Sequence, residues 1–73
     1  MEIAYDEEAD AVYIEFRKGD FAKNKKLDDF TILDLDKGGQ VLGIELLKAS
    51  KRIPLKSLST LYVKGPIGVI EAK

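Results

Sequence analysis

Two apolar runs, Phe30 to Leu35 and Val41 to Leu47, flank Asp36-Lys37-Gly38-Gly39-Gln40, and this block constrains the fold more than any other part of the chain. Glycine reaches the positive φ that a tight hairpin needs, so the two runs read as paired antiparallel strands. With side chains alternating along a strand, Leu33, Leu35, Leu42, Ile44 and Leu46 fall on one face and Phe30, Ile32, Val41 and Leu47 on the other. Both faces are apolar, and a chain of 73 residues has little left with which to cover them. A domain this short buries only on the order of 60% of its unfolded surface. Neither cysteine nor histidine is present, so disulfides and the usual zinc ligands cannot supplement the core. Self-association is the expected remedy, and a homo-oligomer the expected state.

The rest of the chain supplies smaller elements. Met1, Ile3 and Tyr5 alternate with Glu2 and Ala4, and Val12, Ile14 and Phe16 share a face, which predicts a hairpin turning at the acidic Asp6 to Asp10. Arg17 to Asp29 has turn chemistry with only Phe21 and Leu27 as apolar anchors, and reads as the longest loop. Pro54, followed by Leu55, Leu58, Leu61 and Tyr62 at spacings of three and four, predicts a short helix over 54–62. Gly65-Pro66 ends any helix, and Ile67 to Ile70 form an apolar tail suited to an edge strand or to a partner's surface. The expected architecture is α+β, mostly β: one domain over 1–73, an antiparallel meander of about four strands with one short C-terminal helix.

Charge narrows the classes of function. Lys and Arg number 12 against 13 Asp and Glu, and the sequence pI is about 5.3. Lys23, Lys25, Lys26, Lys48, Lys51 and Arg52 make two basic clusters, but without an aromatic platform among them nucleic acid is not an expected partner. No apolar run approaches the roughly 18 residues of a membrane span, and the N-terminus lacks a basic segment followed by an apolar one. The cytoplasm is the expected location.

Three constellations invite a chemical reading. Asp34, Asp36 and Glu45 stand at calcium-loop positions 1, 3 and 12, with Gly39 at position 6 and Val41 at 8. Position 5 is Gly38, however, and the flanks alternate as strands, so a solvated hairpin turn is the leading reading and a cation site the alternative. Asp6, Glu7, Glu8, Asp10 and Glu15 gather a second acidic patch, read as solvated surface. Ser50, Ser57, Ser59 and Thr60 have no histidine to activate them, and Gly38-Gly39 lacks the following Lys-Ser/Thr of a phosphate loop. Neither an enzyme nor a cofactor is expected.

Tyr5-Asp6, Asp10, Tyr13-Ile14, Ile32-Leu33-Asp34-Leu35-Asp36, Gly39, Gly43-Ile44-Glu45 and Ala49-Ser50-Lys51-Arg52 form a wider pattern. From Met1 to Arg52 the chain resembles the short prokaryotic proteins grouped as domain of unknown function 2283. Gly38 stands where such proteins often carry an acidic residue. The resemblance implies a small β-rich fold without an assigned activity. Because some relatives are encoded beside small toxin-like proteins, it also implies an antitoxin-like or accessory protein partner. The expected role is a non-enzymatic binding or assembly module, with a cation-binding sensor or small metal-dependent enzyme using the acidic hairpin as the alternative.

Overall fold

The computed structural model describes residues 1–60, 62–65, 70 and 71. Five strands form one antiparallel sheet: β1 (Glu2–Asp6), β2 (Ala11–Glu15), β3 (Phe21–Asp28), β4 (Thr31–Asp36) and β5 (Val41–Leu47), in spatial order β1-β2-β5-β4-β3. The β4–β5 hairpin expected from the glycine turn is its centre. Gly39 takes φ +83°, and the turn closes through Asp36 N–H to the Gln40 carbonyl at 2.9 Å and Gly39 N–H to the Asp36 carbonyl at 3.0 Å. β3, β4 and β5 run as a meander, and the β1–β2 hairpin docks on the free side of β5.

The main sheet has five strands where a meander of about four is expected, because the segment expected to be the longest loop holds β3. All eight residues of β3 are exposed, so no alternation of polarity marks it. What makes it a strand is the outer edge of β4, whose unpaired N–H and C=O groups it satisfies.

Only residues 16–20 link β2 to β3, past the end of the β4–β5 hairpin. The Phe16 and Arg17 N–H groups both donate to the Leu42 carbonyl, at 2.8 and 3.2 Å. This is where the β4–β5 register slips: Asp34 pairs with Gly43, but Leu35 pairs with Val41, leaving Leu42 as the extra residue of a bulge. The slip revises the expected faces. Val41 joins Leu33 and Leu35, while Leu42 turns to the opposite side, where its side chain lies against Gly19.

The pairings define two unlike faces. One carries an aliphatic row across all five strands, Ile3, Ile14, Ile44 and Leu33, ending on Lys25. The other carries the row Ala4, Tyr13, Glu45, Ile32 and Lys26 beside the row Glu2, Glu15, Gly43, Asp34 and Asn24. The buried hydrophobic residues are Ala11, Val12, Leu35, Leu42 and Ala49, and among the described residues Val12 is the one large side chain buried completely.

After β5 the chain forms α1 (Ala49–Arg52), a single helical turn that the sequence did not suggest. The helix expected over 54–62 is a 3-10 turn at Leu55–Ser59 instead, with Pro54 just before it and Thr60 already extended. Ser57 and Ser59 return their hydroxyls to the carbonyls of Pro54 and Lys56, the local competition with helical bonding that serine favours. β6 (Tyr62–Val63) pairs antiparallel with β7 (Ile70–Glu71). The remainder of the expected apolar tail, 66–69, lies outside the described residues. Among those described, no helix is long and apolar enough to cross a membrane.

Candidate functional site: the tyrosine face and its supports

Tyr13 stands at the centre of the polar face, opposite Ala4 on one neighbouring strand and Glu45 on the other. Its ring crosses Gly43: a Cβ there would come within 2.5 Å of the Tyr13 hydroxyl and 2.6 Å of the Ile14 carbonyl oxygen. Glycine is therefore required by space. Burial, then the adjacent Asp34 carboxylate, pushes the Tyr13 pKa up, so the phenol stays protonated. Two open depressions flank the ring, one of 240 Å³ reaching Glu15, Arg17, Asp34 and Leu42, the other of 340 Å³ reaching Tyr5, Asp6 and Glu45.

The three carboxylates at calcium-loop spacing have separate surroundings. Asp36 Oδ1 accepts the N–H groups of Gly38 and Gln40, both at 2.9 Å, and its Oδ2 faces Arg17 Nη2 at 3.3 Å. Arg17 also donates to the Gln40 side chain, tying the crossover to the hairpin loop. Asp34 and Glu45 lie farther along the sheet, beside Tyr13. Strands flank the loop, and among the described residues no three acidic side chains come together in a way that could hold a metal ion.

A second cluster, which sequence reasoning passed over as acidic surface and unactivated serine, joins the β1–β2 turn to α1. Asp10 sits in the left-handed region at φ 50°. Its Oδ1 accepts the Tyr5 hydroxyl at 2.9 Å and the Ser50 N–H at 3.0 Å, its Oδ2 accepts the Ser50 hydroxyl at 2.7 Å, and its carbonyl accepts the Ala49 N–H at 2.9 Å. Lys48 precedes α1 without a capping side chain, so Asp10 caps that helix from forty residues away. The hydroxyl and amide of Ser50 hold the Asp10 carboxyl below its ordinary value, and the Asp10 carboxylate in turn raises Tyr5. A carboxylate so stabilised is a poor base, and the Ser50 hydroxyl here donates a structural bond.

Arg52 is the counterpart at the other side of α1. Its guanidinium donates to the carbonyls of Phe30 and Leu47 and, at 2.8 Å, to the hydroxyl of the buried Thr31. With these contacts in view, the wider sequence pattern has a physical reading: Tyr5, Asp10, Ser50 and Arg52 pin α1 to the sheet, Asp36 and Gly39 shape the hairpin, and Tyr13, Gly43 and Asp34 fit together. The sequence model of the family described as "Protein of unknown function (DUF2283)" matches residues 2–50, most of the chain. The chain belongs to this family. Comparison with curated proteins and with solved structures finds no match. The DUF2283 match takes in β1 to β5 and the start of α1, including the Asp10–Ser50 link, and stops before Arg52.

The Asp10 cluster sets an acid response. A carboxylate whose folded pKa lies below its unfolded value binds its proton more readily when unfolded, so its contribution is complete above the unfolded value and is lost as pH falls through the folded one. Asp28, held low by the Phe30 N–H, acts in the same direction. Wild-type stability is therefore expected to fall as pH drops below about 4. Asp10→Asn is expected to be less stable at neutral pH and to respond more weakly to acid. Thermal melts of both proteins across that range check this, and parallel pH curves would remove Asp10 from the explanation.

Proposed function

We propose that this protein is a non-enzymatic binding or assembly module that works as a homo-oligomer, a homodimer in its simplest form. One observation carries the reading: a five-stranded sheet presents an apolar face whose central residues, Ile3, Ile14, Ile44 and Leu33, are only half-buried in the single chain. The polar groups of the matched family pattern spend their bonds on pinning the fold, which supports a scaffold more than a reaction centre. The polar Tyr13 face is the surface such a scaffold would offer to another protein. An antitoxin-like accessory role in the cytoplasm is the biological form of this reading.

Light scattering coupled to size exclusion at micromolar concentration tests the oligomer. A mass of two or more chains is expected. A strict monomer at every concentration would sink the proposal.

A further inference from the structure

The binding-module reading offers the tyrosine face to another protein without saying what kind, and the charge on that face selects one. Strand alternation places every carboxylate of β1, β2, β4 and β5 there: Glu2, Asp6, Glu15, Asp34, Asp36 and Glu45. The aliphatic face receives none from those strands, and β3 adds Lys23 and Lys25 to it. With 12 Lys and Arg against 13 Asp and Glu the chain is nearly neutral, so this asymmetry is one of placement.

The tyrosine face does not neutralise itself. The cations that border it are taken: Arg17 pairs with Asp36 at 3.3 Å, Lys18 with Glu15 at 3.1 Å and Lys26 with Asp29 at 3.8 Å. Among the described residues these ion pairs leave Asp34 and Glu45, both half-buried, without a cation. Space lies beside that charge. The 340 Å³ depression next to the Tyr13 ring is lined by the small side chains of Ala4, Ala9 and Ala11 and by the carboxylates of Asp6 and Glu45. An arginine matches this lining group for group. Its alkyl stem packs on the alanine methyls, and its planar guanidinium stacks on an aromatic ring while donating to carboxylates. An anion would be repelled, and a neutral group would leave Glu45 uncompensated. Sites for free small molecules enclose most of their ligand, which an open depression on a sheet does not do. A side chain held in place by its own backbone needs no such enclosure.

Resting on the binding-module reading, we infer that the tyrosine face docks a basic segment of a partner protein, with an arginine of that segment seated between Tyr13, Asp6 and Glu45. The charge of the face sets the chemistry of the partner, and the depression sets where its arginine enters.

A titration of the isotope-labelled protein with the peptide acetyl-Ser-Arg-Ser-Arg-Ser-amide, followed by amide NMR shifts, tests this. Saturable shifts are expected at Ala4, Ala11, Tyr13 and Glu45, fading as salt is added. The same peptide with citrulline for arginine, alike in shape but uncharged, is expected to leave those amides in place. Glu45→Gln exchanges the carboxylate for its isosteric amide and is expected to weaken the arginine peptide about fivefold, whereas Asp20→Asn, the same charge change on the crossover between β2 and β3, leaves it unchanged. Equal weakening by both variants, or shifts spread evenly over every acidic stretch, would reduce the binding to general attraction and overturn the inference. So would agmatine binding as tightly as the peptide, since the occupant would then be a small organic cation. If the citrulline peptide, or one with glutamate for arginine, moves the same amides, the face docks a partner of other chemistry: this inference falls and the binding-module reading stands. No shift from any peptide, with scattering still showing an oligomer, overturns the basic partner and leaves assembly as the role.

Discussion

Gly43→Ala is expected to be the most damaging single-methyl change in the sheet. The added Cβ would stand 2.6 Å from the Ile14 carbonyl oxygen, a backbone atom of the paired strand, and 2.5 Å from the Tyr13 hydroxyl. The tyrosine can swing away, but the carbonyl belongs to the β2–β5 ladder and moves only if strands separate. Overpacking of this kind costs about 3 kcal/mol, and in a domain this size that lowers Tm by roughly 15 °C. Gly19→Ala is the control. Its Cβ would meet Leu42 Cδ2 at 2.7 Å, the far end of a flexible side chain, and the substitution also removes unfolded-state freedom. It is expected to stay within about 1 kcal/mol of wild type. Thermal melts of the two variants decide the matter: equal losses would show that Gly43 is not held by the close approach of β2.

The contrast between those glycines shows where the sequence is legible. Gly39 announces its turn because it stands between two apolar runs, and the β4–β5 hairpin follows from local pattern. Gly43 sits inside one of those runs with nothing local to explain it, since its cause is a tyrosine thirty residues earlier. β3 is invisible for a related reason: Lys23, Asn24, Lys25 and Lys26 face water on both sides, and only pairing with β4 makes them a strand. The bulge at Leu42 escapes notice because Val41 and Leu42 are both aliphatic, so slipping the register leaves the polarity pattern intact.

The candidate site divides along the same line. Asp34, Asp36 and Glu45 are conspicuous from their spacing, and the strands put all three on the tyrosine face, but strung along the sheet, with Asp36 turned to its own loop and Arg17. Asp36 shapes its own turn, a role local enough for the sequence to suggest. Asp10, Ser50 and Arg52 act across distances of twenty to forty residues, and no local pattern in the sequence announces them.

Arg52→Ala tests such a pin directly. The change removes the donors to the Leu47 and Phe30 carbonyls and to the Thr31 hydroxyl, and it leaves the buried Thr31 without its charged partner. Hydrogen bonds to a charged group contribute about 2 kcal/mol when one side is buried, so a loss of that order is expected. Arg52→Lys keeps the charge but not the planar fork, and an ammonium cannot serve acceptors on two strand ends at once, so it is expected to recover less than half. The decisive measurement is the double variant. A four-residue helix has no stability of its own, and α1 persists because Asp10 holds its start and Arg52 its end. Once either anchor is gone the turn frays, and removing the other then costs less. Asp10→Asn with Arg52→Ala should therefore lose less stability than the two single losses added, by at least about 0.5 kcal/mol. Amide exchange at Ile53, whose N–H bonds the Ala49 carbonyl at 2.8 Å, should be accelerated already in each single variant. Strict additivity, with Ile53 still protected, would mean that the helix is held by something other than these two side chains.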